Sequence, residues 1–225
     1  MDFLHSVLDI LVRYREGLLA GLGVTLRLCA VVWTSGLVLG SLLGVAAARL
    51  PKSVGWPVGA ASFVLNGMPL LVFLFWLHYP LQSLLGVVID PFYTASFALS
   101  VVNVFLVCDI VRHAVADFPR QYVVAGEVCG LNRRAILRHI EAPLLLRQIL
   151  PGLLTAQVTM LQCTLFASLI SVEEIFRVAQ RINSTIYRPV EIYTALGLLF
   201  LAVCLPLNGL ALWLKARYTR DLSEQ

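Results

Sequence analysis

The residues able to do chemistry in this chain of 225 residues are few and scattered. Cys29, Cys108, Cys129, Cys163 and Cys204 form no CxxC pair and show no metal-ligand spacing, and four of them lie in or near apolar stretches, where a thiol is a small apolar filler. The histidines also stand apart, so neither a zinc site nor a nucleophile with its base is indicated. No GxxxxGK[ST] loop is present to cradle nucleotide phosphates. What remains is a set of polar residues in apolar surroundings. Asn66-Gly67-Met68-Pro69 lie midway along one apolar stretch, where proline removes a backbone donor and clashes with the carbonyl one turn earlier. Backbone groups freed at that depth line a cavity or meet other protein, and a plain packing kink is the alternative. Gln162, Thr164 and Ser168 share a later stretch, either as a polar stripe or as side chains bonded to their own or a neighbouring helix. Asp109 and Arg112 have the spacing of an ion pair on one helix face. Glu173 and Glu174 follow that later stretch, to meet a partner, to gate an exit or to form a solvated face.

The most unusual segment is GLNRRAILRHIEAPLLLRQILP, residues 130–151, with Arg133, Arg134, Arg138 and Arg147 in an otherwise apolar chain. Pro119 suits a helix start, Gly130 a left-handed helix end, and Asn132 the cap of a second short helix running through Arg138. Pro143 is expected to interrupt it, and Pro151 to stand where the next span begins. The spacing thus predicts a helix–turn–helix whose apolar residues, among them Val123, Val128, Leu131 and Ile136, have no bilayer to bury them. Two readings are open: a docking surface for a soluble partner, or a helix pair lying on anionic lipid.

The elements that position these residues are membrane helices. The chain is 59% hydrophobic and 13% charged, with a mean hydropathy of +0.85, far from the charge a soluble domain carries. Five stretches approach the length needed to span a bilayer, from about Leu22 to Ala48, Val58 to His78, Thr94 to Ala114, Leu150 to Ile170 and Ile192 to Leu214. Residues 4–12 place Leu4, Val7, Leu8, Leu11 and Val12 at helical spacing, an amphipathic N-terminal helix lying on the membrane surface or a frayed start of the first span. Asp2 and Asp9 are out of place in a cleaved signal. Lys and Arg concentrate in the links after the first and third stretches and in the tail, while residues 79–93 carry none. That bias puts the N-terminus outside and the tail and arginine-rich link in the cytoplasm. Gly36, Gly40, Gly44 and Ala48 make a small-residue packing face. The net charge of +4 is modest and calls for no nucleic-acid partner.

The arginine-rich link resembles the EAA loop of ATP-binding-cassette importer permeases, with Ala125-Gly126 as the small pair, then Gly130, then Pro143. Further motifs in order resemble the polar amino acid branch (histidine, glutamine and arginine transporters): residues 21–28 (GLGVTLRL), Gly67-Met68-Pro69-Leu70-Leu71, Asp109-Ile110-Val111-Arg112, Val172-Glu173-Glu174, Ala179-Gln180 and Arg188-Pro189. The opening Glu of the EAA pattern is Val124 here, the Arg before Gly-Thr-Pro is Asn66, its Thr is Met68, and Lys-Asp-Thr of the fourth span is Gln162-Cys163-Thr164.

The resemblance implies an all-α membrane protein: one permease domain over residues 1–225, five spans, and a cytoplasmic coupling hairpin over about 119–142. It implies a multi-pass subunit of the bacterial inner membrane, not itself an enzyme, importing polar amino acids or relatives such as opines. ATP and Mg would be bound and hydrolysed by two partner subunits. A second permease, identical or a sister, and an external solute-binding protein would complete the assembly. Ala125, Gly126, Gly130, Leu131 and Pro143 would serve ATPase docking, and Asn66, Gly67, Met68, Pro69, Gln162, Thr164 and Ser168 the solute path, with Glu173 and Glu174 on the outer face. The competing classes are an ion- or proton-coupled carrier, which would need acids at mid-membrane and work alone, and a membrane scaffold, which has no use for a broken second span.

Overall fold

The structure is a computed structural model, and it describes residues 2–223. Among these residues every regular element is helical. Four helices are long and apolar enough to cross a membrane: α2 (Arg15–Arg49), α5 (Pro91–Ala116), α7 (Arg133–Ile170) and α9 (Pro189–Tyr218, continuing to Ser223). A bent pair, α3 (Pro51–Gly67) and α4 (Leu70–Leu85), is long and apolar enough only when taken together, and makes the fifth span expected if the two halves are one span. The shorter helices are α1 (Asp2–Arg13), α6 (Arg120–Val128) and α8 (Ile175–Ile186).

α5 is the centre of the packing. Ala95, Ala98, Leu99, Asn103, Val107 and Cys108 on it are fully buried. Asp90 caps it by accepting a hydrogen bond from the Phe92 N–H, and Pro91 needs no donor in the first turn. α2 lies against α5 along the glycine stripe read from sequence. A Cβ at Gly40 would stand 2.7 Å from the Val104 carbonyl oxygen, and one at Gly44 2.7 Å from that of Cys108. Only glycine permits that approach, which brings the two backbones into contact. The stripe coincides with a π turn at Gly36–Gly40, which resets the helix face presented to α5.

Two expectations are corrected and one open reading is decided. The second span breaks outright, as the broken-helix reading had it and not as a plain packing kink. Met68 (φ −104°, ψ 124°) and Pro69 (φ −57°, ψ 130°) leave the helical region, and the two halves meet at 94°. Proline disfavours a helical conformation for the residue before it, and Gly67 lowers helix propensity further. Pro143 interrupts nothing, because α7 runs unbroken from the arginine-rich segment into the membrane. In a regular α-helix the ring of Pro143 would clash with the carbonyl four residues earlier, that of His139, and a π turn at Leu137–Glu141 widens the ladder there. The second arm of the hairpin is therefore the first part of a span, and Pro151 is buried inside that span instead of beginning it. Finally, α1 packs instead of only resting on a surface: Val7 and Ile10 are buried, and Ile10 joins a core formed with α8 and α9.

Candidate docking hairpin and translocation path

The hairpin forms as its residues dictate. α6 ends at Cys129, whose N–H reaches the Ala125 carbonyl. Gly130 takes φ +79°, the left-handed position, where side chains are strained. The Gly130 N–H then bonds the Glu127 carbonyl and the Leu131 N–H that of Gly126, closing the helix end. Asn132 caps α7 by accepting from the Ala135 N–H at 2.8 Å. The next residue, Arg133, pairs at 2.6 Å with Glu141, eight residues on. Gly126 is buried inside the hairpin, where a Cβ would lie 3.0 Å from Ile136 and 3.1 Å from Ile140. It sets the spacing of the two arms and does not face outward. Pro143 likewise lies within α7, away from the hairpin tip. Ala125, Gly130 and Leu131 are exposed, beside Val124 and Val128, the latter 82% exposed. Only part of the apolar patch expected from sequence is there: Val128 and Leu131 are exposed and Val124 joins them, whereas Val123 is half-buried and Ile136 is fully buried against the other arm.

At mid-span the structure separates the proposed path residues. Gln162 is exposed on α7. Thr164 and Ser168 are buried, and their hydroxyls donate to the Leu161 and Leu165 carbonyls of their own helix, each at 2.7 Å. That is the self-bonded alternative, and it takes both off the open face. The last part of α7, Thr164–Ile170, tightens to a 3-10 helix and ends at Ser171 with φ 71°. Asn66 is exposed, and Gly67 lies in open space with nothing near its missing Cβ.

At the other end of α7, Glu173 and Glu174 part company. Glu173 is exposed and pairs with Arg181 at 3.0 Å. Glu174 is fully buried and caps α8, accepting from the Phe176 and Arg177 N–H groups at 2.9 and 2.8 Å. It is neither a solvated face nor an external contact. Burial pushes its carboxyl up to about 7, against the two backbone donors that pull it down, with Glu173 adding to the rise. Asp109 and Arg112 form the expected pair at 3.1 Å.

One constellation escaped the sequence reading. Asn103, fully buried on α5, donates to the Val32 carbonyl at 2.8 Å and to Gln157 Oε1 at 3.0 Å. The Trp33 indole donates to the Gln157 carbonyl at 3.1 Å. This polar knot ties α2, α5 and α7 together in the membrane. The signal available was one amide, Asn103, in the third apolar stretch and two, Gln157 and Gln162, in the fourth.

A family model described as the binding-protein-dependent transport system inner membrane component matches residues 36–220. The chain belongs to this family. The octopine transport system permease protein of Rhizobium meliloti is 29% identical to this permease over 92% of both chains. The glutamine transport system permease protein of Escherichia coli (strain K12) is 28% identical, covering 85% of the permease and 88% of the relative. Among solved structures, an amino acid ABC transporter crystallised with histidines superposes with a TM-score of 0.81 at 24% identity, covering 96% of this chain and 99% of that one. The MetNI methionine transporter, inward facing, superposes at 0.65 and 18% identity, covering 93% and 96%. These similarities of fold agree with the helical, multi-pass architecture described above. The permease is the membrane component of an importer in which a separate subunit hydrolyses ATP.

Proposed function

We propose that this permease carries a polar amino acid, or an amino-acid-derived solute such as an opine, through an ATP-driven importer. The observation that carries the reading is the near end-to-end likeness to relatives named for octopine, glutamine and arginine transport. Two copies of the chain, or this chain and a sister, would enclose the path, with two ATPase subunits holding ATP and Mg below and a solute-binding protein outside. The exposed patch of Val124, Val128 and Leu131 around Gly130 supports ATPase docking at the hairpin, with the N-terminus outside and the tail in the cytoplasm. The break at Met68–Pro69 and the exposed Gln162 support a solute path along α4 and α7. Glu174 and Gly126 serve it indirectly, as a cap and as a spacer.

The test is co-purification with the ATPase subunits and binding protein, followed by ATPase measurement across a panel of amino acids and opines. Stimulation by one solute class, only with the binding protein present, is the expected result. Uptake by the isolated chain without ATP would refute the proposal and favour a secondary carrier.

A further inference from the structure

The link between α4 and α5 is folded back by one residue. Gly86 follows the end of α4 with φ +64°, and Val87, Val88 and Ile89 beyond it are exposed, Val88 completely. Gln82, buried on the last turn of α4, takes two bonds from this link. Its backbone carbonyl accepts from the Val87 N–H at 3.1 Å, and its Oε1 accepts from the Ile89 N–H at 2.9 Å. The Ile89 bond fixes which way the amide points. Gln82 Nε2 therefore faces the other side, donating to Thr94 Oγ1 on α5 at 3.0 Å and lying 3.3 Å from His78 Nδ1, one turn back on α4. Thr94 is buried, and its hydroxyl lies 3.4 Å from the same ring nitrogen and 3.5 Å from the Asp90 carbonyl oxygen. An amide NH2 only donates, so His78 Nδ1 accepts, and the ring is neutral with its proton on Nε2.

We propose that His78, Gln82 and Thr94 form a proton-sensitive latch: neutral His78 holds residues 86–90 against α4 and α5, and a proton taken from water at Nδ1 releases them. The added N–H meets the Gln82 NH2 head-on. Gln82 can accept from the charged ring only by turning its amide over, which sets its NH2 against the Ile89 N–H and gives up that bond. Histidine is the side chain whose charge ordinarily changes between about pH 5 and 8. The other ionisable groups of the surrounding elements are already committed or point to solvent. On α4, Tyr79 meets the ring edge-on at 4.7 Å between centroids. At the start of α5, the Asp90 carboxylate takes the Phe92 N–H, and Tyr93 is exposed. α2 packs into the same core through Val24 and Leu28, and its Arg27 is exposed. Past α7, Val172 joins that core, with Glu173 paired to Arg181 and Glu174 capping α8. Among the described residues no ion pair holds the His78 ring in one charge state. With the N-terminus outside, this link faces the external medium. Its release would loosen the outer end of α4, and that consequence alone rests on the solute path proposed above.

The test places a nitroxide spin label at Val88→Cys, in a background of Cys129→Ser and Cys163→Ala, in the complex with its ATPase subunits in phosphatidylcholine nanodiscs. The ratio of mobile to immobile label, read by electron paramagnetic resonance from about pH 8 to about pH 5, should rise about fivefold, the effect of one lost hydrogen bond, and should reverse on neutralisation. His78→Asn keeps an acceptor beside Gln82 and takes up no proton, so the label should stay immobile throughout. Gln82→Leu should leave it mobile at every pH. Asp90→Asn, which preserves the cap of α5, should leave the response in place. Glu174 titrates near pH 7 in the same interval, and His78→Asn separates the two. Mobility independent of pH in the parent, a response that survives in His78→Asn or vanishes in Asp90→Asn, or an immobile label in Gln82→Leu would overturn the latch. The label reports on the latch whether or not the chain moves solute, and solute-stimulated ATPase reports on the transport reading separately.

Discussion

Gly36→Ala offers the sharpest test of how the spans are held together. A methyl group at residue 36 would lie 2.1 Å from Asn103 Nδ2 and 2.5 Å from its Cγ. Comfortable contact needs about 3.5 Å, so the amide must swing by more than about 1 Å. It then loses its bonds to the Val32 carbonyl and to Gln157. Stranding buried polar groups costs about 1–3 kcal/mol, whereas hydrogen bonds between membrane helices average nearer 0.6 kcal/mol. A loss of about 2 kcal/mol follows, or about 4–8 °C in melting temperature for a chain of this size. Asn103→Ala removes the obstacle and leaves a space that the new methyl group fills. In a four-member thermal-unfolding cycle in detergent, the double variant should therefore be more stable than the sum of the single effects by about 1 kcal/mol or more. Gly40→Ala is the control, since its obstacle is the Val104 carbonyl oxygen at 2.7 Å and no side chain can yield. Its cost should persist when Asn103→Ala is added. Additivity of Gly36→Ala and Asn103→Ala within about 0.5 kcal/mol, the margin for independent sites, would refute the reasoning.

Gly130→Val should weaken co-purification of the ATPase subunits and uncouple ATP hydrolysis from uptake, because valine is strained at φ +79° by about 1–2 kcal/mol. Gly130→Asn should retain most of both, since nothing lies within 4 Å of a Cβ there. Val128→Asp, at an exposed position, should leave the melting temperature within about 2 °C and lower ATPase retention in pull-down; full retention would move the docking surface elsewhere. Glu174 has a native pKa raised from 4.5 to about 7. Its contribution is therefore fully present below pH 4.5 and is lost as pH rises through about 7. Stability should fall by up to about 3 kcal/mol across that interval, and Glu174→Gln should flatten this slope whatever its absolute stability, as read by melting curves at several pH values.

Local chemistry was legible in the sequence wherever neighbours alone decide it. Gly130 at a left-handed position and Asn132 as a cap follow from turn and cap preferences of single residues. The Gly36–Gly44 face is a repeat that only close helix approach explains. What could not be read depends on distant chain. Pro143 disrupts a helix in isolation, but a π turn absorbs it here. Glu174 reads as a surface acid until α8 begins beside it and requires a cap. Gly126 belongs to a small-residue motif, yet whether it faces outward or its own hairpin depends on where Ile136 and Ile140 fall. Asn103 and Gln157 are far apart in sequence and give no sign of meeting.

The unbroken course of α7 has a mechanical consequence. From Arg133 to Ile170 it holds 38 residues, about 57 Å of rod at the α-helical rise. Swinging such a strut by about 10° about its foot carries its far tip through about 10 Å, with no need for any relay of side chains between the two ends.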